Sequence, residues 1–215
     1  MRRWIIAAGV VGGLTVGGGW LAGCSTMSKD QCLAGAWGEK GYADGAAGYP
    51  MTRLDDHARA CAKYQVAPNS AAYDSARQDG LRSYCTFERG WEEGRSGNTY
   101  YGVCRPQEEQ AFLPAYHDGL RLHEVEAAFE TAESALNSAE ARIENRQDKL
   151  EAKERELDGE GLTDQERERI RNRIQEVRGE IREARRDARD SRDALDRAEW
   201  DVRRVRRELS GRYPV

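Results

Sequence analysis

Residues 143–181 read IENRQDKLEAKERELDGEGLTDQERERIRNRIQEVRGEI. Ile143, Leu150 and Leu157 recur every seven residues up to the break Asp158-Gly159-Glu160-Gly161. Beyond it Ile170, Ile174, Val177 and Ile181 resume with alternating spacings of four and three. Aliphatic side chains so spaced line one stripe of a helix and call for a facing helix to bury it. Glycine costs a helix interior up to ~1 kcal/mol relative to alanine, so the two glycines of the break end the first helix. Thr163 and Glu166 have the spacing of a capping box that starts a second. A heptad helix, a glycine break and another heptad helix predict an antiparallel coiled-coil hairpin.

The seam extends in both directions. Upstream, one position holds Leu122, Phe129 and Leu136, and the other holds Val125, Ala132 and Ala139 before turning polar at Arg146 and Lys153. Downstream it continues as Ala184, Ala188, Ser191, Leu195, Ala198, Val202, Val205 and Leu209. Each arm of about 44 residues would be roughly 65 Å long at 1.5 Å per residue. Folding about the break sets Leu150 opposite Ile174, Ile143 opposite Ile181, Leu136 opposite Ala188, Phe129 opposite Leu195 and Leu122 opposite Val202. The first arm is acidic (Glu124, Glu126, Glu130, Glu133, Glu140, Glu144) and the second rich in arginine. Arg146 and Lys153 are expected to snorkel to solvent near the tip. Arg203, Arg204, Arg206 and Arg207, close to Glu208, read as a solvated face. The hairpin is placed at residues 121–210 with its turn near 158–163, followed by a short tail at 211–215. Two chains could share such hairpins as a four-helix bundle, the homo-oligomer this pattern allows.

The opposite end of the chain has its own grammar. Arg2 and Arg3 precede an uncharged, largely apolar run from Trp4 to Gly23, closed by Leu21-Ala22-Gly23-Cys24. A basic start, an apolar stretch and a small-residue neck before cysteine read as a bacterial lipoprotein precursor. Residues 1–23 are then a signal peptide, and Cys24 is lipidated and becomes the new N-terminus. An uncleaved membrane span is the alternative, since about 20 apolar residues cross a bilayer. Ser25 lacks the acidic character of inner-membrane retention, so the expected location is the outer membrane, facing the periplasm, with the acyl chains holding the protein to the bilayer.

Between leader and hairpin, residues 24–120 are rich in Gly, Ala, Tyr and Cys and form a small head. Cys32, Cys61, Cys85 and Cys104 are an even set in an exported protein, which predicts two disulfides. Three pairings are possible, and ease of short-loop closure favours Cys32–Cys61 with Cys85–Cys104. A zinc site built from these cysteines and His57 is disfavoured because no Cys-x-x-Cys pair is present. Gly41, Gly45 and Gly48 lie at helical spacing beside Trp37 and Tyr42. Thr52 with Asp55 resembles a capping box for a helix to about Tyr64, and Pro68-Asn69-Ser70 opens another that ends near Cys85. A short helix follows from Thr86 to Gly94, then a loop at Gly97-Asn98 and Gly102, and Pro106 opens the next helix. Nothing alternates with period two, so the predicted fold class is all-α, a disulfide-stabilised helical head plus the hairpin. An aromatic–small–glycine pattern recurs at Trp37-Gly41-Gly45, Tyr73-Ala76-Gly80, Phe87-Gly90-Gly94 and Phe112-Tyr116-Gly119. Close approach of helix backbones is the favoured explanation. The alternative is an aromatic groove for sugar or peptide, with Trp37, Tyr73, Tyr84 and Tyr100 as its surface.

The run Tyr73 … Gly80-Leu81-x-x-Tyr84-Cys85, then Gly90 … Gly94-x-x-Gly97-x-x-Tyr100-x-Gly102-Val103-Cys104, resembles domain-of-unknown-function family 2799, a set of small bacterial lipoproteins. Trp37, Gly41, Asp44-Gly45 and His57-x-x-x-Cys61 match the front half of that pattern, and Ala76 stands where a glycine would be expected. The resemblance covers about residues 25–120. It implies envelope localisation and a compact disulfide-bonded head, and brings no activity with it.

A net charge of −4 argues against nucleic acid as a partner. His57 follows Asp55-Asp56, His117 precedes Asp118 and His123 lies on the rod, none with a serine motif or ligand cluster beside it. Asp44, between glycines, reads as a helix-end or turn residue. Gly41 to Gly48 lacks the Lys-Ser/Thr ending of a phosphate loop. The expectation is therefore not an enzyme, and no cofactor. It is an envelope protein of structural or adaptor type, with an envelope protein or the cell wall as partner. The alternative is a peptidoglycan- or peptide-binding module acting through the head.

Overall fold

Residues 26–214 are described by a computed structural model, and within them every regular element is a helix. The order is α1 (Lys29–Leu33), α2 (Trp37–Ala46), α3 (Arg53–Ala62), α4 (Ser70–Tyr84), α5 (Phe87–Arg95), α6 (Pro106–Leu157) and α7 (Asp164–Leu209). The chain is all-α, with a disulfide-bonded head and long C-terminal helices packed together. The leader and Cys24 lie outside the described residues.

Small polar side chains start most of these helices by accepting orphan N–H groups. Ser28 caps α1 in a full capping box with Gln31, Asn69 caps α4 through the Ala72 N–H (3.0 Å), and Thr86 caps α5 through the Arg89 N–H (3.1 Å). The capping box predicted at Thr52 does not form. Thr52 is already helical (φ −60°, ψ −17°), because the turn bond from the Arg53 N–H to Pro50 leads straight into α3. Gly35, at φ +64°, separates α1 from α2.

The recurring glycines are helix contacts. A Cβ on Gly41 would overlap the Tyr73 carbonyl oxygen, and one on Gly45 the Arg77 carbonyl; from the other side, Gly80 abuts Tyr42. α2 and α4 therefore run parallel with their backbones touching. The pair α5 and α6 repeats this, with Gly90 against Phe112, Gly94 against Tyr116, and Gly119 against Trp91. The correspondence extends to detail. Gly48 (φ +73°) and Gly97 (φ +70°) end α2 and α5 in the same motif, with Tyr49 N–H bonded to Asp44 and Asn98 N–H to Glu93 five residues back. Arg77 Nη2 donates to the Tyr49 carbonyl (2.7 Å), and Tyr116 Oη to the Asn98 carbonyl (2.7 Å). The Tyr84 ring backs Gly48, and the His123 ring backs Gly97. The head is an internal duplication. Unit one is α2 with α4, unit two is α5 with the start of α6, and α3 lies in the longer connection of unit one.

α6 does not stop where the head does. It passes through the contact at Gly119 and continues to Leu157, 52 residues without a break. The capping box of Thr163 and Glu166 starts α7 after the connection 158–163.

The arms are shifted from the expected register, so that residues of α6 face later residues of α7. Leu150 shares a groove with Ile181 rather than Ile174, and Phe129 with Val202 rather than Leu195. Leu122 clusters with Val205 and Leu209, rather than lying opposite Val202 alone. Ion pairs follow the same offset: Arg206–Glu126 (2.7 Å), Arg192–Glu140 (2.6 Å) and Arg178–Glu154 (2.9 Å). The reason is degeneracy. The heptad fixes which positions face the partner but not how far one arm slides along the other, so periodicity alone does not set the register. The end of α6 thus lies level with the Ile170–Ile174 stretch of α7, and Arg167 reaches back to the Leu157 carbonyl (3.2 Å). Charge also runs both ways across the rod, with Arg146 paired to Glu180 (2.6 Å) and Arg121 to Glu208. Arg146 leaves the seam for that carboxylate, as a snorkelling side chain does. Arg203 pairs with Glu199 and Arg204 with Asp201, so this arginine cluster is largely a paired, solvated face.

Candidate functional site

The disulfides join Cys32 to Cys61 (Cα–Cα 5.4 Å) and Cys85 to Cys104 (5.6 Å). The first pins α1 to α3 within a cluster of Met27, Trp37, Leu54 and Tyr73. The second ties the end of α4 to the loop before α6, beside Tyr84 and Phe112.

The aromatic residues that the alternative reading places on a binding groove lie mostly in the core. Trp37, Tyr73 and Tyr84 are buried, and only Tyr100 remains partly open. Trp37 and Tyr73 lie on the helices whose backbones meet at the glycines, and at Gly48 the missing side chain makes room for the Tyr84 ring. Tyr100 is also occupied: its hydroxyl donates to Glu109 (2.7 Å) and accepts the Cys104 N–H (3.0 Å). Burial and the Glu109 carboxylate push this phenol up to about 12.

Asp44 departs from its expected turn role. It is buried, and its Oδ2 accepts from Tyr73 Oη (2.6 Å) and from His57 Nε2 (2.7 Å). A carboxylate only accepts, so Nε2 carries the hydrogen. On the other side of the ring, Nδ1 is 2.8 Å from Thr26 Oγ1. Burial and the hydrogen bond to Asp44 push the Tyr73 phenol far up. Hydroxyl, imidazole and carboxylate have the connectivity of a catalytic relay. In that order the hydroxyl is that of the half-buried Thr26, and the His57 ring behind it is 1% exposed. What the set does is fasten the start of the described chain to α3, α2 and α4. Met27 deepens that attachment, buried beside Cys61. Sequence reasoning had no access to this set, because it joins residues from four separate segments. The corresponding acid in unit two is Glu93, buried and held by Arg89 (2.8 Å) and Asn98 (2.8 Å).

The tail closes the rod onto the head. Tyr213 stacks on Trp91 and Phe87 and donates to Asp118 (3.0 Å), with Arg212 on the same carboxylate (2.8 Å). Beside it, Glu126 receives both Arg95 and Arg206 in a groove that also contains Phe129, Glu130, Glu133 and Val202. Burial acts to raise Glu126, but the two guanidinium groups outweigh it and hold the carboxyl below the usual range. Among the described residues no helix is long and apolar enough to cross a membrane.

These features define an all-α protein of two parts, a duplicated glycine-packed head and a coiled-coil rod growing out of its last helix. Residues 36–121, which contain both units, match the family model described as Protein of unknown function (DUF2799). The match covers the head, and the hairpin lies beyond it. No curated protein and no solved structure matches the chain.

Proposed function

We propose that the protein is a lipid-anchored bacterial envelope protein of structural or adaptor type, carrying its binding surface on the rod, away from the membrane. The observation that carries this reading is the continuity of α6. A helix that passes through the head's contacts at Phe112, Tyr116 and Gly119, with its internal Pro114 confined to that stretch, and then continues unbroken to Leu157 makes the rod a direct extension of the head. From Leu122 to Leu157 it reaches about 50 Å at 1.5 Å per residue. The anchor rests on the residues Leu21-Ala22-Gly23-Cys24. With Thr26 bonded to His57 and Met27 in the core, little slack separates a lipid on Cys24 from the head. The head would then sit at the bilayer and the rod would set a fixed reach.

Two changes test the reading. Cys24→Ala should leave an unprocessed precursor, and normal maturation would remove the anchor from the account. Deleting the facing segments 136–149 and 182–195 removes two heptads from each arm and leaves the tip and the head junction intact. This shortens the rod by about 20 Å. Partner contacts at the tip should disappear, and contacts that persist unchanged would contradict a spacer role.

A further inference from the structure

The two units of the head are built alike, yet only one has its outer face covered. In unit two the Tyr213 ring lies 4.0 Å from that of Trp91 at 10° and 5.4 Å from that of Phe87 at 9°. Its hydroxyl and Arg212 Nη1 meet on Asp118 Oδ2, and Ala115 forms the buried floor. The correspondence between units carries Phe87 to Gly38, Trp91 to Tyr42, Ala115 to Ala76 and Asp118 to Asp79. Sequence supports it, since Asp79-Gly80-Leu81-Arg82 recurs as Asp118-Gly119-Leu120-Arg121.

On unit one this face is open. Tyr42 is 52% exposed where Trp91 is 8%. The Asp79 side chain is 57% exposed where that of Asp118 is 16%, and among the described residues it meets only Arg82 on its own helix (3.3 Å). A Cβ on Gly38 would meet nothing within 4 Å. The unit's other rings, Trp37, Tyr73 and Tyr84, are all in the core, so Tyr42 is turned outward while its neighbours are buried.

We propose that Tyr42, Ala76 and Asp79 form a docking face for a partner polypeptide presenting an arginine next to an aromatic residue, the chemistry Arg212-Tyr213 brings to the equivalent face of unit two. The ring stacks on Tyr42 over the small Ala76, and the guanidinium pairs with the Asp79 carboxylate. The protein's own tail is the poorer occupant. Val205 and Leu209 arrive with it on Leu122, whose counterpart in unit one is Ser83, and Phe87 is replaced by Gly38. A tail leaving unit two for unit one of a second copy would lose those contacts. This places a second contact on the head, in addition to any on the rod.

The test is an NMR titration of isotopically labelled residues 26–215 with the synthetic hexapeptide SGRYPV (residues 210–215). The expected result is shifts at Tyr42, Ala76 and Asp79 that are absent with SGAAPV. Tyr42→Ala and Asp79→Asn, both at exposed positions, should each weaken binding about tenfold, and Gly38→Phe should strengthen it. No shifts, or shifts confined to Trp91 and Asp118 through exchange with the resident tail, would overturn the proposal. So would binding indifferent to Tyr42→Ala. Concentration-dependent self-association abolished by Tyr42→Ala would make the occupant a second copy and overturn the assignment to a different partner.

Discussion

Gly94 lies so close to Tyr116 that a Cβ on the glycine would overlap the tyrosine's carbonyl oxygen, and Gly45 stands in the same relation to Arg77. The obstacle is backbone, which cannot step aside as a flexible side chain can. Gly94→Ala and Gly45→Ala should each destabilise the head by about 3 kcal/mol, the upper part of the usual overpacking range. Gly38→Ala, in open space on α2, should instead stabilise by up to ~1 kcal/mol. Urea denaturation of the three variants checks this, and equal effects at all three positions would refute the close contact.

The rod register makes a prediction of its own. Methyl-labelled protein should give a nuclear Overhauser contact between Leu150 and Ile181 and none between Leu150 and Ile174. The reverse would place the arms in the register that folds symmetrically about the glycine break.

Tyr213 should matter far more than a residue just beyond a terminal helix of the fold usually does. Tyr213→Ala uncovers Trp91 and removes the hydroxyl from Asp118, and should cost about 3 kcal/mol. Trp91 emission should shift to the red, which Trp91→Phe in the same background assigns. An unchanged spectrum and midpoint would mean that the tail does not clasp the head in solution.

Acid should loosen the junction in a defined direction. Glu126 is held below its usual range when folded, so its contribution is complete above the unfolded value near ~4.3 and is lost as pH falls through the lower folded value. Glu126→Gln should therefore be less stable than the parent at neutral pH, with the gap closing in strong acid. A gap independent of pH would show that the arginines do not act on this carboxylate.

The elements of this fold were legible because their signals are local. Thr163 with Glu166, Asn69, Thr86 and Pro106 mark helix starts where they stand, and the heptads from Leu122 and Ile170 declare a coiled coil. The disulfide pairing followed from loop length. Readings that needed distance information went astray. The slide of one arm along the other leaves no mark in the sequence because more than one register satisfies the seam. Trp37, Tyr73 and Tyr84, for which close helix packing is the favoured reading and a groove the alternative, are assigned to the core only once the helices beside Gly41, Gly45 and Gly48 are paired. The union of Asp44 with His57 and Tyr73 crosses three helices and leaves no trace in spacing. The duplication did leave one, in the repeated Asp-Gly-Leu-Arg and in Glu39-Lys40-Gly41-Tyr42 beside Glu88-Arg89-Gly90-Trp91. It was obscured by the different lengths of the two connections.

The central functional claim is that the rod presents a partner-binding surface at a fixed distance from the head. The most direct measurement places a photocrosslinking amino acid at Glu160, in the connection between α6 and α7, and identifies its adducts in living cells by mass spectrometry. The account predicts a discrete envelope protein or muropeptide, reproducibly captured and lost when two heptads are removed from each arm. Adducts limited to the protein itself would contradict it and leave the rod without a partner at its tip.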